Sequence, residues 1–478
     1  RYIMTAQTIL PANSAASGGY DVANSVRFNS ADSPKMVKSS TAGNRTNWTF
    51  SAWFKRSGLG ATQDIMASSG GASSGDYCYL QINSDDKMRF LDYSSGNECN
   101  KITNRLFRDP SAWMNVVLVI NTNDGTAEDR FKLYINGVRE TSFATSANFS
   151  DGYSTNMNVN GHSNAIGTNN QFNALYWDGY LAEIVLVDGT TLAPEDNIGE
   201  FDEDSGIWKP IDVSGLTFGN NGFYLDFEAS DNLGNDANGG TDFTETNLAA
   251  TDQSTDTCTN NFATFNPLNV LGSNIAYSEN NLTITPGTSD YKTCISSIAV
   301  DSGKWYAEFK AVSGHNGSTD VSVGIVGADN YVASTGSKAM SAYLSSFSYG
   351  SGGLVKKYNN STIRTDATYT DDDIIGIAVD MDNLKLYWSK NGTYNNSGDP
   401  TSGATGTGAV AITPAQLYYI AVATISSGGV KVFSANFGSP PYSESGGNSD
   451  ADGHGNFLTA PPSGYFALCT KNLAEYGG

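Results

Sequence analysis

Two stretches of this chain spell the same hairpin. Residues 116–138 read VVLVINTNDGTAEDRFKLYINGV, and residues 374–392 read IIGIAVDMDNLKLYWSKNG. Each is an apolar strand, a polar turn, a Lys-Leu-Tyr strand and then an Asn-Gly pair. Asn-Gly is the favoured type I′ turn because both of its positions need positive φ. The Lys-Leu-Tyr triplets begin at Lys132 and Lys385, a spacing of 385 − 132 = 253 residues. Two β-sandwiches, each built around a similar central hairpin, follow from this echo. Chance likeness between two amphipathic hairpins is the alternative.

The rest of the chain agrees with β structure. Strand-like alternation with turn punctuation recurs from about residue 25 to 440, and helical periodicity is nearly absent. Trp48–Lys55, Trp113–Ile120 and Tyr180–Val187 are examples in the first half; Trp305–Phe309, Val321–Val326 and Tyr418–Thr424 are examples in the second. Between them lie Gly, Ser, Asn and Asp clusters such as Ser68–Gly75 and Ser397–Gly408. Only 16% of residues are charged, against a usual ~25%, so Asn, Ser, Thr and Gly carry the polarity. Such a mix favours strands and turns over helices. The fold class is therefore all-β, with two antiparallel sandwiches rather than βαβ units.

Charge and cysteines narrow the function. With 27 Lys+Arg against 49 Asp+Glu, the net charge is −22, which repels nucleic acid and leaves no basic patch to collect phosphates. No apolar run approaches the ~18–20 residues of a membrane helix, so neither nucleic acid nor membrane insertion is expected. The five cysteines (Cys78, Cys99, Cys258, Cys294, Cys469) contain no Cys-x-x-Cys and are joined by only three histidines. That argues against zinc. Buried free thiols are the favoured reading, with a Cys78–Cys99 pair as the alternative. His162, His315 and His454 lie in Gly/Asn/Ser-rich stretches and read as exposed loop residues.

Composition divides the chain into an N-terminal extension over 1–24, a sandwich over 25–194, an Asx/Gly-rich linker with short strands over 195–265, a second sandwich over 266–440, and a C-terminal extension over 441–478. In the last piece, Gly464–Thr470 reads as a strand left without its partner. A chain opening on Arg1 reads as a processed or truncated product, and the ending Tyr476-Gly-Gly478 hints at a further segment.

Family resemblances sharpen this. Gly303-Lys-Trp-Tyr-Ala-Glu-Phe309, Asp373-Ile-Ile-Gly-Ile-Ala-Val-Asp380, Leu384-Lys-Leu-Tyr-Trp388 with Lys390-Asn-Gly392, and Tyr418–Gly438 occur in the order of the SPRY domain's core strands. The second half thus resembles a SPRY domain. Thr49–Phe54, the Lys132–Gly137 hairpin and Asp178–Ile184 resemble a laminin-G or concanavalin-A-like jelly roll. The two joined through Ser205–Pro210, Asn221–Phe227 and Thr259–Leu268 resemble virion proteins of tailed phages, of the tail-fibre type. That resemblance implies a virion location on the particle surface, other virion proteins as partners, attachment to a host glycan or receptor, and a homo-oligomer, for which a trimer is the usual fibre state. It transfers no catalytic residues.

Candidate sites follow from residue chemistry. Aromatic faces stack on sugar C–H surfaces while Asn bonds hydroxyls, and Tyr331, Tyr343, Tyr349 and Tyr358 with Asn359 and Asn360 are the loop candidates. The SPRY resemblance implies a ligand surface at loops at one end, to which Tyr343–Asn360 would contribute. Calcium, the one cofactor considered, prefers clustered carboxylate and amide oxygens on turning backbone. Asn448, Asp450 and Asp452 alternate in that manner; Asp231, Asn235 and Asp236 form a second cluster, resembling a loop near the laminin-G ion site. Solvated Asx turns are the alternative for both. The nearest pair for glycoside hydrolysis is Glu200 and Asp202, in a segment without apolar alternation, so no enzyme activity is expected. The reading is an attachment protein of a phage tail fibre; the alternatives are a purely architectural virion component and a polysaccharide depolymerase.

Overall fold

The computed structural model describes residues 19–477, apart from 72–73, 172, 270–273, 288–290, 317–320, 329–338, 415–416 and 443–445. The chain separates into two compact units, one spanning Pro11–Asn260 and the other containing Asn261–Gly478. Both are antiparallel sandwiches, as the alternation required. Among the described residues no helix is long and apolar enough to cross a membrane.

In the first unit, one sheet runs in the order Val138–Arg139, Phe131–Ile135, Met114–Asn121, Asn47–Arg56, Gly179–Asp188, Ser25–Phe28, Gln253–Ser254, and Phe223–Leu225 also pairs with Gly179–Asp188. The facing sheet runs Phe143–Ala147, Asn97–Leu106, Lys87–Ser94, Asp76–Ile82, Gln63–Ser69, Ser163–Ile166, Lys35–Ser39, Thr244–Thr246. Strand residues alternate between faces. Trp48, Phe50, Ala52 and Phe54 therefore enter the core between the sheets, while Trp53 points outward yet is also buried.

The cover over that outer face is the segment expected to be a linker. Trp208 and Cys258 pack with Trp53, Trp113 and Tyr180; Val213 and Phe218 pack on Val185 and Val187; Ile198 packs on Val117 and Val119. Asp256 forms a buried ion pair with Lys55 at 2.7 Å and accepts the Trp113 indole N–H at 2.9 Å. Residues 195–260 are thus part of the first unit and not a linker: some form this outer layer, while Phe223–Leu225, Thr244–Thr246 and Gln253–Ser254 add strands to the two sheets. Isolated apolar residues in an Asx-rich stretch suffice here because each meets a finished sheet face.

In the second unit, one sheet runs Ile275–Ser278, Thr283–Pro286, Val432–Asn436, Lys304–Ser313, Ile374–Asp380, Lys385–Lys390, Thr393–Tyr394. Its partner sheet runs Lys292–Val300, Tyr418–Thr424, Ser322–Gly327, Ser346–Gly350, Leu354–Lys357, Ser361–Thr365. The C-terminal stretch is integral here as well. Phe466–Ala467 is not left unpaired, because it pairs in parallel with Trp305 and Tyr306. Phe457, Tyr465 and Cys469 pack with Tyr306 and Tyr387, and Thr470–Tyr476 closes the chain as a short helix. Glu308, fully buried, holds this segment by accepting the backbone N–H groups of Leu458 and Thr459, each at 2.9 Å.

The repeated hairpin is real in three dimensions. Asn136 and Gly137 have φ of 48° and 75°; Asn391 and Gly392 have 48° and 79°. All five cysteines are buried, and none is joined in a disulfide.

Candidate functional site

The facing sheet of the first unit carries a row of tyrosines on its outer side. Asp76–Ile82 reads DYCYLQI; Cys78, Leu80 and Ile82 enter the core, so strand alternation turns Tyr77, Tyr79 and Gln81 outward. On the next strand Met88 and Phe90 are inward, leaving Arg89, Leu91 and Tyr93 outward. The register sets Tyr77 opposite Tyr93, Tyr79 opposite Leu91 and Gln81 opposite Arg89. Small residues, Ser69 and Ala67, face Tyr77 and Tyr79 from the other neighbour.

The rings line up in that frame. Tyr77 and Tyr93 stack with centroids 5.1 Å apart and planes 19° apart, and Tyr77 and Tyr79 stack at 6.0 Å and 11°. The Arg89 guanidinium covers Tyr79 at 5.7 Å and donates to the Asn100 side-chain oxygen at 3.0 Å. Tyr79 and Leu91 are buried in the row, whereas Tyr77 and Tyr93 remain half-buried. Burial pushes the Tyr79 phenol up to about 12 and raises that of Tyr77, so both stay hydroxyl donors at neutral pH. Aromatic surface beside fixed hydroxyl, amide and guanidinium donors suits a ligand with one apolar face and many hydroxyls. The signal was present in the sequence as Tyr-x-Tyr on one strand. It becomes a row only through the pairing register.

The sequence candidates fall differently. Tyr331 lies outside the described residues. Tyr349 is on the strand Ser346–Gly350, fully buried, with its ring against Trp388 and its hydroxyl bonded to the Ala367 carbonyl. Tyr343 is 2% exposed, packed with Met340 and Val326. Neither is a surface residue, which corrects the expectation for both. Tyr358 is exposed. Asn359 and Asn360, with φ of 63° and 56°, make the exposed turn between Leu354–Lys357 and Ser361–Thr365. Asn360 also lines a cleft of about 300 Å³ with Ser322, Ser348 and Lys356.

The two acidic clusters are internally satisfied. Asp236 pairs with Lys38 at 2.9 Å and accepts the Tyr224 N–H at 3.0 Å; Asp231 is exposed, and the Asn235 N–H bonds the Asn232 carbonyl. Asp450 accepts four N–H groups, from Asp452, His454, Ala467 and the Asn472 amide, at 2.8–3.0 Å. Asn448 donates to the Leu458 carbonyl, and Asp452 is exposed beside the Tyr476 hydroxyl. Among the described residues, no group of three or more His, Cys, Asp or Glu side chains is arranged to hold a metal ion.

Glu200 and Asp202 share Lys209, at 3.2 and 3.3 Å. Hydrogen bonds from Ser205 hold the Asp202 carboxyl down to about 2, far from the raised value a general acid needs. His162 and His315 are buried rather than exposed; burial lowers the pKa of each.

Residues 29–195 match the Laminin_G_3 family, described as the concanavalin A-like lectin/glucanases superfamily, so the first unit carries a concanavalin A-like domain. No curated protein matches the chain. Solved structures similar to it include the SPRY domain of human HERC1, at 19% identity over 36% of this chain and 96% of that one, TM-score 0.28. A heptameric SAP-like pentraxin from Limulus polyphemus is similar at 17% identity over 36% and 80%, TM-score 0.27. Domain 4 of an extracellular arabinanase from Geobacillus stearothermophilus, solved with arabinotriose, is similar at 16% identity over 33% and 68%, TM-score 0.24.

Proposed function

We propose that this protein is a glycan-attachment component of a phage particle, of tail-fibre type, acting by binding and not by catalysis. The observation that carries the reading is the stacked row Tyr93–Tyr77–Tyr79 on the outer sheet face of the concanavalin A-like domain, edged by Arg89 and Gln81. Ring surface supplies affinity for sugar C–H faces, and the fixed donors select hydroxyl geometry. One such contact is weak. Copies held together in a homo-oligomer, taken as a trimer, multiply it through effective concentration. The virion setting rests on the resemblance of the joined sandwiches to tail-fibre proteins. The Lys209 clamp on Glu200 and Asp202 supports binding over hydrolysis.

The test is a glycan array probed with the full chain, together with labelled images of intact particles. Retention of host-surface polysaccharide by the chain but not by a Tyr77→Ala/Tyr93→Ala variant, with label on the tail, is the expected result. Failure to bind any host glycan, with label woven into a shell or tail wall, would instead favour the architectural alternative. Release of reducing ends from the polysaccharide would favour the depolymerase.

A further inference from the structure

The cleft in the second unit has a chemistry of its own. Its floor is the outer face of three paired strands. Val323, Phe347, Tyr349 and Val355 enter the core, so Ser322, Ser348, Gly350, Leu354 and Lys356 face outward. The register sets Ser322 opposite Gly350 and Ser348 opposite Lys356. The wall is the turn at Met340–Ala342. It approaches because residue 324 is glycine: a Cβ there would lie 2.8 Å from the Met340 sulfur and 1.9 Å from the Phe347 carbonyl oxygen. The end is closed where the Ser341 hydroxyl donates to the Asn360 side-chain oxygen at 2.6 Å.

Three features of this lining call for a ligand. Ser322 and Ser348 are only 7% and 4% exposed, and neither hydroxyl is bonded to a described residue, so both are left to bond whatever fills the cleft they line. The ammonium of Lys356, a half-buried residue, has no ion pair or hydrogen bond among the described residues, although the chain carries a charge of −22. The cleft's volume of about 300 Å³ lies at the small end of ligand sites, which suits one sugar residue rather than a run of them.

We infer that this cleft is a separate binding site for a single carboxylated sugar residue, a uronic acid. Its carboxylate meets Lys356 and its hydroxyls meet Ser322, Ser348 and the Asn360 amide. The choice of a sugar rests on the glycan-binding reading; the requirement for a carboxylate does not. A lone cation in a cleft rejects neutral sugars less by repulsion than by leaving its own charge unmet.

Calorimetric titration of the full chain with glucuronate, glucose and acetate tests this. Saturable glucuronate binding is expected, with glucose and acetate failing to saturate over the same range. Lys356→Gln should weaken glucuronate by about tenfold or more, and Lys356→Arg should restore most of it. Acetate binding as tightly as glucuronate would make this a plain anion site and overturn the sugar. Equal glucuronate binding by wild type and a folded Lys356→Gln, or no saturation, would overturn the site. Loss of array binding in the tyrosine variants alone would leave it standing.

Discussion

The side-chain oxygen of Asn391 accepts the backbone N–H of Ile374 at 2.8 Å, while the Asn391 N–H returns a bond to the Ile374 carbonyl at 2.8 Å. Asn136 does the same to Asn115 in the other unit, at 2.7 and 2.9 Å. Each turn residue therefore locks its own hairpin to the strand before it and holds the left-handed backbone that the turn demands.

Replacing Asn391 or Asn136 by Ala removes that side-chain acceptor and adds left-handed strain. Each substitution should destabilise its own unit by about 1–2 kcal/mol, read as a lower denaturant midpoint at unchanged slope. A loss below ~0.3 kcal/mol would show that the backbone pairing alone fixes the turn.

Tyr93→Ala removes the ring at the end of the row while leaving the core strands intact. Glycan affinity should fall five- to thirtyfold, about 1–2 kcal/mol, with the thermal melt nearly unchanged. Unaltered retention on a glycan surface would move the binding function off this sheet face.

Glu308 binds the C-terminal segment through two backbone N–H groups and also accepts the Tyr306 hydroxyl at 3.0 Å. Glu308→Ala should cost about 2–4 kcal/mol by leaving those donors buried and unmet. Hydrogen exchange at Leu458 and Thr459 should rise by an order of magnitude or more, ahead of the sheet strands.

Five carboxyl groups of the first unit sit high because of burial: Glu183 at about 8, Asp92 at about 7 and Asp178 at about 6, with Asp64 well above and Asp252 above the usual carboxylate range. A raised folded-state value means that the unfolded chain releases its proton first as pH rises. Their stabilising share is thus complete below about pH 4 and is lost up to about pH 8. Hydrogen-bonded carboxylates such as Asp202 act in the opposite sense below about pH 4. The first unit should melt highest near about pH 5 and several degrees lower at about pH 8.5, and Glu183→Gln should flatten the fall. A melt rising steadily from pH 5 to 8.5 would contradict this.

Lys38 on Asp236 and four N–H groups on Asp450 occupy the oxygens that a calcium ion would claim. Chelator should leave the melting temperature within about 1 °C of its value in millimolar calcium. A calcium-dependent rise of several degrees would mean that these loops rearrange around an ion.

The fold was legible where local signals repeated. The Asn-Gly hairpins and the ordered SPRY-like strands lie as expected, because turn chemistry and alternation are written in adjacent residues. The outer layer within 195–260 was not legible, since Ile198, Trp208, Val213 and Phe218 are too far apart to show a period; the surface that orders them belongs to distant strands. Tyr349 shares strand parity with Phe347, so its inward direction is already written in Ser346–Gly350, although the surrounding Ser and Gly residues give that stretch the composition of a loop. The tyrosine row and the cleft depend on cross-strand register, which no single strand contains.

All seven tryptophans are fully buried, five in the first unit and two in the second, and none belongs to the tyrosine row or the cleft. Intrinsic indole emission will therefore report denaturation brightly, weighted towards the first unit, and stay nearly dark to sugar. A titration followed by that emission alone would score a working receptor as inert.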